Sequence, residues 1–213
     1  MTEMMQPTRV VDDIRTFFDA TQADPQAIRA VLPAGIRVLA QGRPVTTTEI
    51  ADAANVSLPL VETALRDLGD VEWTSDGRVE GMGLTPRETP HRIRIGETAM
   101  YAWCAMDTLF FAAILDRQVD IESPDGATGE PLRLITDGRR ILSADPHSIV
   151  VSWFVDPSAE SVRAAACQYG HFFASRETAA GWSASYPKGG VLSLKDALQA
   201  ARRSAVAYFG ATP

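Results

Sequence analysis

A chain of 213 residues, 46% hydrophobic and 22% charged, has the composition of a globular protein with a sizeable core, which excludes a disordered or fibrous polymer. Its 20 basic residues against 27 acidic ones give a net charge of -7, which argues against nucleic acid as a partner. Two cysteines are too few for a disulfide scaffold, and the start, MTEMMQPTRVVDDIR, has no uninterrupted apolar core; a cytoplasmic protein with free thiols is expected.

In chain order, the first third reads as helical. In 8-TRVVDDIRTFFDA-20, Val10, Val11, Ile14, Phe17 and Phe18 recur at the spacing of an amphipathic helix. A second helix is predicted over 25–42, with Pro25 in its first turn, Gly42 at its stop and Pro33 bending or interrupting it. Thr47 or Thr48 is expected to cap one short helix, and Ser57 the next, which carries Val61, Leu65 and Leu68. The segment 71-VEWTSDGRVEGMGL-84 reads as two strands around a Ser-Asp-Gly turn. Helix, helix, hairpin is the order of a winged helix-turn-helix. The helix that would enter DNA, 58–69, holds one base, Arg66, against Glu62 and Asp67, a poor footprint on phosphates. The unit therefore reads as a scaffold or lid.

From about residue 85 the pattern changes. A strand over 90–96 leads into 98-TAMYAWCAMDTLFFAAIL-115, read as one helix. That run only reaches the lower length limit for a membrane span and holds Asp107 at its middle, so it is expected to be a buried helix, with no membrane partner. Runs 118–123, 131–136, 139–144 and 148–154 read as strands separated by Pro, Asp and Gly clusters, the punctuation of antiparallel hairpins. Helices are predicted over 157–166, 178–186 and 193–209. The expected class is α+β: an N-terminal winged-helix-like domain over 1–84, then an antiparallel-sheet domain with packed helices over 85–213.

Chemistry concentrates in the apolar run. On one helix, Cys104, Asp107, Thr108 and Phe111 would share a stripe, with Trp103, Met106, Leu109, Phe110 and Ile114 as a dry surround. A buried carboxylate needs a hydrogen-bond donor or an upward pKa shift, and a thiol can be that donor. An ionised Asp107 also disfavours a neighbouring thiolate, so the pair suits one shared proton, with thiolate forming when a cation arrives. The plain alternative is that Asp107 caps a neighbouring element and Cys104 fills the core. Cys167, in 167-CQYGHFF-173, reads alone as inert burial, with His171 a packing or hydrogen-bonding neighbour and His91 and His147 carrying little signal. No zinc spacing, phosphate loop or nucleophile elbow occurs. Two thiols with one carboxylate select a soft metal such as mercury(II), gold or copper(I) over magnesium or calcium.

The segment 101-YAWCAMDTL-109, together with Cys167 and 171-HFFAS-175, 82-MGLTPRET-89 and the 126-GATG-129 turn, closely resembles the bacterial organomercurial (alkylmercury) lyases. The likeness runs from about residue 30 to near residue 200. It implies a catalytic set of Cys104, Asp107 and Cys167, the same three residues holding mercury, with Trp103 in the substrate pocket. It implies protonolysis of R–Hg⁺ to R–H and Hg²⁺ without an organic cofactor, mercury(II) as bound product, and external thiols for product removal. The implied partners are organomercurial small molecules, cellular thiols and a mercuric reductase receiving Hg²⁺. Many members carry further cysteines where this chain has Gln168 and Asp125, which leaves only the essential pair. Two rivals remain: a winged-helix metal-sensing regulator, and a mercury- or thiol-binding protein without turnover.

Overall fold

A computed structural model describes residues 4–20 and 24–208; the side chain of Phe18 and the expected helix end at Phe209 lie outside the described residues. Helix α1 (Pro7–Ala20) buries Val10 and Ile14, and its Asp13 accepts a bond from the Trp153 indole N–H at 3.1 Å. Helix α2 (Pro25–Leu39) starts at Asp24, whose carboxylate accepts from the Gln26 amide at 2.9 Å. It continues through Pro33 uninterrupted. Proline removes one backbone donor, but Ile28, Val31, Ala34, Ile36 and Leu39 are all buried, and that packing outweighs one lost bond.

Helix α3 (Thr47–Ala54) is capped one residue earlier than expected, by Thr46. Glu49 decides between the three threonines, because only Thr46 has a glutamate three places on. The Glu49 amide donates to Thr46 Oγ1 at 3.1 Å and the Thr46 amide donates to Glu49 Oε2 at 2.8 Å, closing a capping box. Helix α4 (Leu58–Leu68) follows Ser57, which stands at the cap position without a side-chain bond. Strands β1 (Glu72–Trp73) and β2 (Val79–Gly81) pair around the foreseen turn.

The remainder is built on a six-stranded antiparallel sheet of β3 (Leu84–Thr85), β4 (His91–Ile95), β5 (Thr98–Ala102), β6 (Val119–Pro124), β7 (Pro131–Thr136) and β8 (Ile141–Asp145), in the order β3-β5-β4-β6-β7-β8. Along β4, His91, Ile93 and Ile95 point inward while Arg92 and Arg94 face water, the period-two pattern of a half-buried strand. A second sheet, β10-β9-β11, joins β9 (Val150–Trp153), β10 (Phe172–Phe173) and β11 (Gly190–Ser193). Helices α5 (Ala105–Leu115), α6 (Val162–Ala165), α7 (Ala180–Ser185) and α8 (Leu194–Tyr208) are the remaining α-helices among the described residues. The fold is thus mixed helix and antiparallel sheet behind a helical N-terminal region, as the sequence pattern predicts.

Three further points depart from the sequence reading. The run 98–115 is not one helix: 98–102 form β5, which pairs with β4 across a tight turn at Gly96 (φ 62°), and only 105–115 are helical. The predicted helix over 157–166 shrinks to the four residues of α6, since its polar sequence has little apolar face to bury. Strand β11 is unforeseen; it forms because Val191 and Leu192 can be buried beside β9. Helix α5 is buried on nearly every side and packs against α8, with one continuous apolar cluster running from Val10 to Ala205. No helix among the described residues is long and apolar enough to cross a membrane.

Candidate active site

The first thiol stands where a strand ends and a helix begins. Cys104 follows β5 in extended conformation (φ −147°, ψ 171°) and is the N-cap of α5, its Sγ accepting from the Asp107 amide at 3.4 Å. Sulfur here takes the place of the usual hydroxyl or carboxylate cap. This overturns the single-helix stripe yet keeps its main consequence, since the cap and the third helical residue face each other across the first turn. Thr108, assigned to the same stripe, is fully buried and donates to the Ala105 carbonyl at 2.7 Å, so it is structural.

The second thiol arrives on a single 3-10 turn, Cys167–Tyr169, held against the start of α5 because the Ala105 amide donates to the Gly170 carbonyl at 3.0 Å. Gly170 permits this approach: a Cβ there would come within 3.1 Å of both Cβ and Sγ of Cys104. Cys167 Sγ donates to Asp107 Oδ2 at 3.5 Å, and the two sulfurs and a carboxylate oxygen of Asp107 all lie within 4.8 Å of one another.

The three groups open on an apolar cavity of about 120 Å³. Its walls come from both halves of the chain: Ile14, Phe17 and Leu32 from α1 and α2, and Trp103, Phe110 and Phe111 from around α5. The N-terminal helices therefore share in lining the cavity on which the thiols open. Cys104 and Cys167 are only 2% and 6% exposed, while Asp107 keeps partial access through the cavity it faces.

This dryness sets the charges. Burial holds the Asp107 carboxyl up at about 6, against the pull of hydrogen bonds from both thiols and of the Arg163 charge. Burial first, then the adjacent Asp107 carboxylate, raises the Cys104 thiol. Cys167 is raised further, by its contact with Cys104, by burial and by Asp107. At neutral pH the resting arrangement is two neutral thiols around an ionised carboxylate. An arriving soft cation can displace the protons, and Asp107 is the nearest base to take one.

Around this centre lie residues that sequence spacing gave no reason to single out. The Trp103 indole donates to Glu72 Oε1 at 3.2 Å, and the Arg163 guanidinium lies 4.8 Å above the Trp103 ring. Asp125, which stands where many chains of the resembled family carry a further cysteine, is 2% exposed and accepts amides from Ala127, Thr128 and Ala174 at 2.7, 3.0 and 2.6 Å, tying the Ala-Thr-Gly turn to the segment after Cys167. His91, given little weight, is buried and bonded through Nδ1 to Ser123 Oγ at 2.8 Å. His171 packs against Phe173, as expected of a packing residue.

Residues 84–205 match the family model described as alkylmercury lyase, and residues 17–83 match that described as the helix-turn-helix domain of alkylmercury lyase. An alkylmercury lyase from Streptomyces lividans is 40% identical over 167 residues, 78% of each chain. One from Bacillus cereus is 39% identical over 178 residues, 84% of this chain and 82% of the relative. The crystal structure of the mercury-bound form of MerB2 shares the fold, with a TM-score of 0.71 at 24% identity over 92% of this chain and 98% of that one.

Proposed function

The chain belongs to the alkylmercury lyase family, and from that premise we propose that it cleaves carbon–mercury bonds by protonolysis at Cys104, Asp107 and Cys167. The observation that carries this reading is the meeting of two sulfurs and one carboxylate oxygen within 4.8 Å at an apolar cavity.

A substrate R–Hg–X brings a soft cation bearing an organic group R and a ligand X, such as a thiolate. Cys104 passes its proton to Asp107 as its sulfur bonds mercury. Cys167 then bonds the same mercury, and its proton leaves with X as HX. Electron donation from both sulfurs weakens the carbon–mercury bond, and the Asp107 carboxylic acid delivers its proton to carbon as that bond breaks. The thiol protons end on R–H and HX, and mercury(II) remains between two sulfurs. A positioned acid contributes about 10²–10⁴-fold, and water exclusion by the apolar walls strengthens each charge interaction.

Trp103 forms part of the substrate pocket. Residues 1–84 act as the winged-helix-like unit that covers the chamber, and residues 85–213 as the catalytic unit. The product Hg²⁺ leaves by exchange onto an external cellular thiol in the cytoplasm, and a mercuric reductase fits as its consumer. The test is to incubate the purified protein with phenylmercury and excess thiol and assay benzene. Catalytic release supports the reading; stoichiometric mercury binding without benzene rejects turnover.

A further inference from the structure

A carboxylate that the proposed reaction does not use sits next to both thiol-bearing segments. Glu72, on β1 of the N-terminal hairpin, has a side chain only 9% exposed. Its Oε1 accepts from the Trp103 indole at 3.2 Å and from Arg163 Nη1 at 3.3 Å. Its Oε2 accepts from Thr85 Oγ1 and faces Arg87 Nε at 3.8 Å. Two residues earlier, Asp70 accepts the Arg163 amide at 2.8 Å. The stack of Arg163 on Trp103 closes a triangle in which each member touches the other two.

The positions of the partners give this triangle its meaning. Trp103 immediately precedes Cys104. Arg163 lies in α6, four residues before Cys167, on the short segment that delivers the second sulfur. One oxygen of Glu72 therefore grips the chain close to each thiol, from an element that carries neither. Cys104 is also anchored by α5, but the segment 154–166 ahead of Cys167 has only the four residues of α6 as regular structure. Arg163 ties it to the N-terminal region, by side chain to Glu72 on β1 and by backbone to Asp70 just before that strand.

We infer that Glu72 is a positioning residue for the two-sulfur site, clamping Trp103 and Arg163 to one carboxylate and so fixing the distance between Cys104 and Cys167. The inference rests on the lyase reading for its catalytic consequence, but its effect on mercury(II) retention does not. Two-point capture of one ion demands sulfurs held within a fraction of an ångström, which side chains on separate segments achieve only when their supports are themselves tied together. Glu72→Gln keeps an acceptor for the indole but removes the charge that holds Arg163. A change at Arg163, whose side chain is half exposed, breaks the same contact from the other side with little risk to folding.

The experiment compares the full-length protein with Glu72→Gln, Arg163→Gln and the double variant. Each is loaded with mercuric chloride and titrated with a competing dithiol, benzene release from phenylmercury is measured in parallel, and thermal melting serves as control. The expected result is about 10–100-fold weaker mercury retention in either single variant, a matching fall in kcat, little change in melting, and no further loss in the double variant. A merely structural Glu72 would instead lower the melting temperature and leave retention by the folded protein unchanged, which overturns the inference. So does wild-type retention in Arg163→Gln, which decides the matter if Glu72→Gln does not fold. If the wild-type protein releases no benzene, the lyase reading falls while the dithiol titration still tests Glu72.

Discussion

Cys167 Sγ donates to Asp107 Oδ2 across 3.5 Å, linking groups 60 residues apart in sequence, while the amide of Asp107 donates to Cys104 Sγ at 3.4 Å. The acid thus engages both thiols through its carboxyl, and its backbone amide also caps the Cys104 sulfur. The same dry cavity raises all three groups, so proton position and metal capture are coupled.

The first consequence is a pH profile. Asp107 must be ionised to take a thiol proton, and burial holds its carboxyl at about 6. The acid limb of kcat/KM for phenylmercury should therefore bend near pH 6 and not near 4, the range of an ordinary aspartate. Measuring kcat/KM from pH 4.5 to 8 checks this; a flat profile through that window contradicts it.

Stability carries the same signature with a definite sign. A carboxyl whose folded pKa of about 6 exceeds its usual 3.8 binds more protons folded than unfolded between those values, so its ionisation destabilises the fold as pH rises through that window. Asp107→Asn removes that penalty. It should raise stability at pH 7 by about 2 kcal/mol, after discounting the full shift for partial exposure, and the gain should vanish below about pH 4. Urea melts at pH 7 and pH 4 read the difference directly.

The cap position separates fold from chemistry at Cys104. Serine is a better N-cap than cysteine, which offsets part of the cost of burying a hydroxyl here, so Cys104→Ser should keep α5 intact and cost no more than about 2 kcal/mol. Turnover should nevertheless disappear, because a hydroxyl does not capture mercury as a thiolate does. Cys167→Ser should likewise release no benzene. Far-ultraviolet circular dichroism beside the benzene assay checks both, and a folded, active serine variant would refute the role of that sulfur.

The N-terminal helices should set the size of the organic group. Leu32 of α2 lines a cavity of about 120 Å³, so Leu32→Trp should fill part of it and discriminate against phenylmercury relative to methylmercury by about tenfold in kcat/KM. An unchanged ratio would show that the organic group lies elsewhere.

The site was more legible in the sequence than the structure that supports it. The three residues of the site could be named from Cys104 and Asp107 lying three apart in an oily run and from the resemblance that added Cys167. The local structure around them could not be named. A continuous apolar stretch fits a buried strand as well as a buried helix, and residues 98–102 became β5 because β4 was available to pair with them. The same limit applies to Thr46, visible only once Glu49 is recognised as its capping partner. Glu72 and Arg163 lay beyond reach for a different reason: their contacts join positions 91 residues apart, and no local periodicity encodes that meeting.

The central claim is that Asp107 supplies the proton while the two sulfurs hold the metal, and a single-turnover comparison of wild type with Asp107→Asn tests it most directly. Both proteins, in molar excess over phenylmercury, should take up the mercurial completely. Wild type should convert it to one benzene per mercury, and Asp107→Asn should do so at least about 100-fold more slowly. Benzene release by the variant at the wild-type rate would contradict the account.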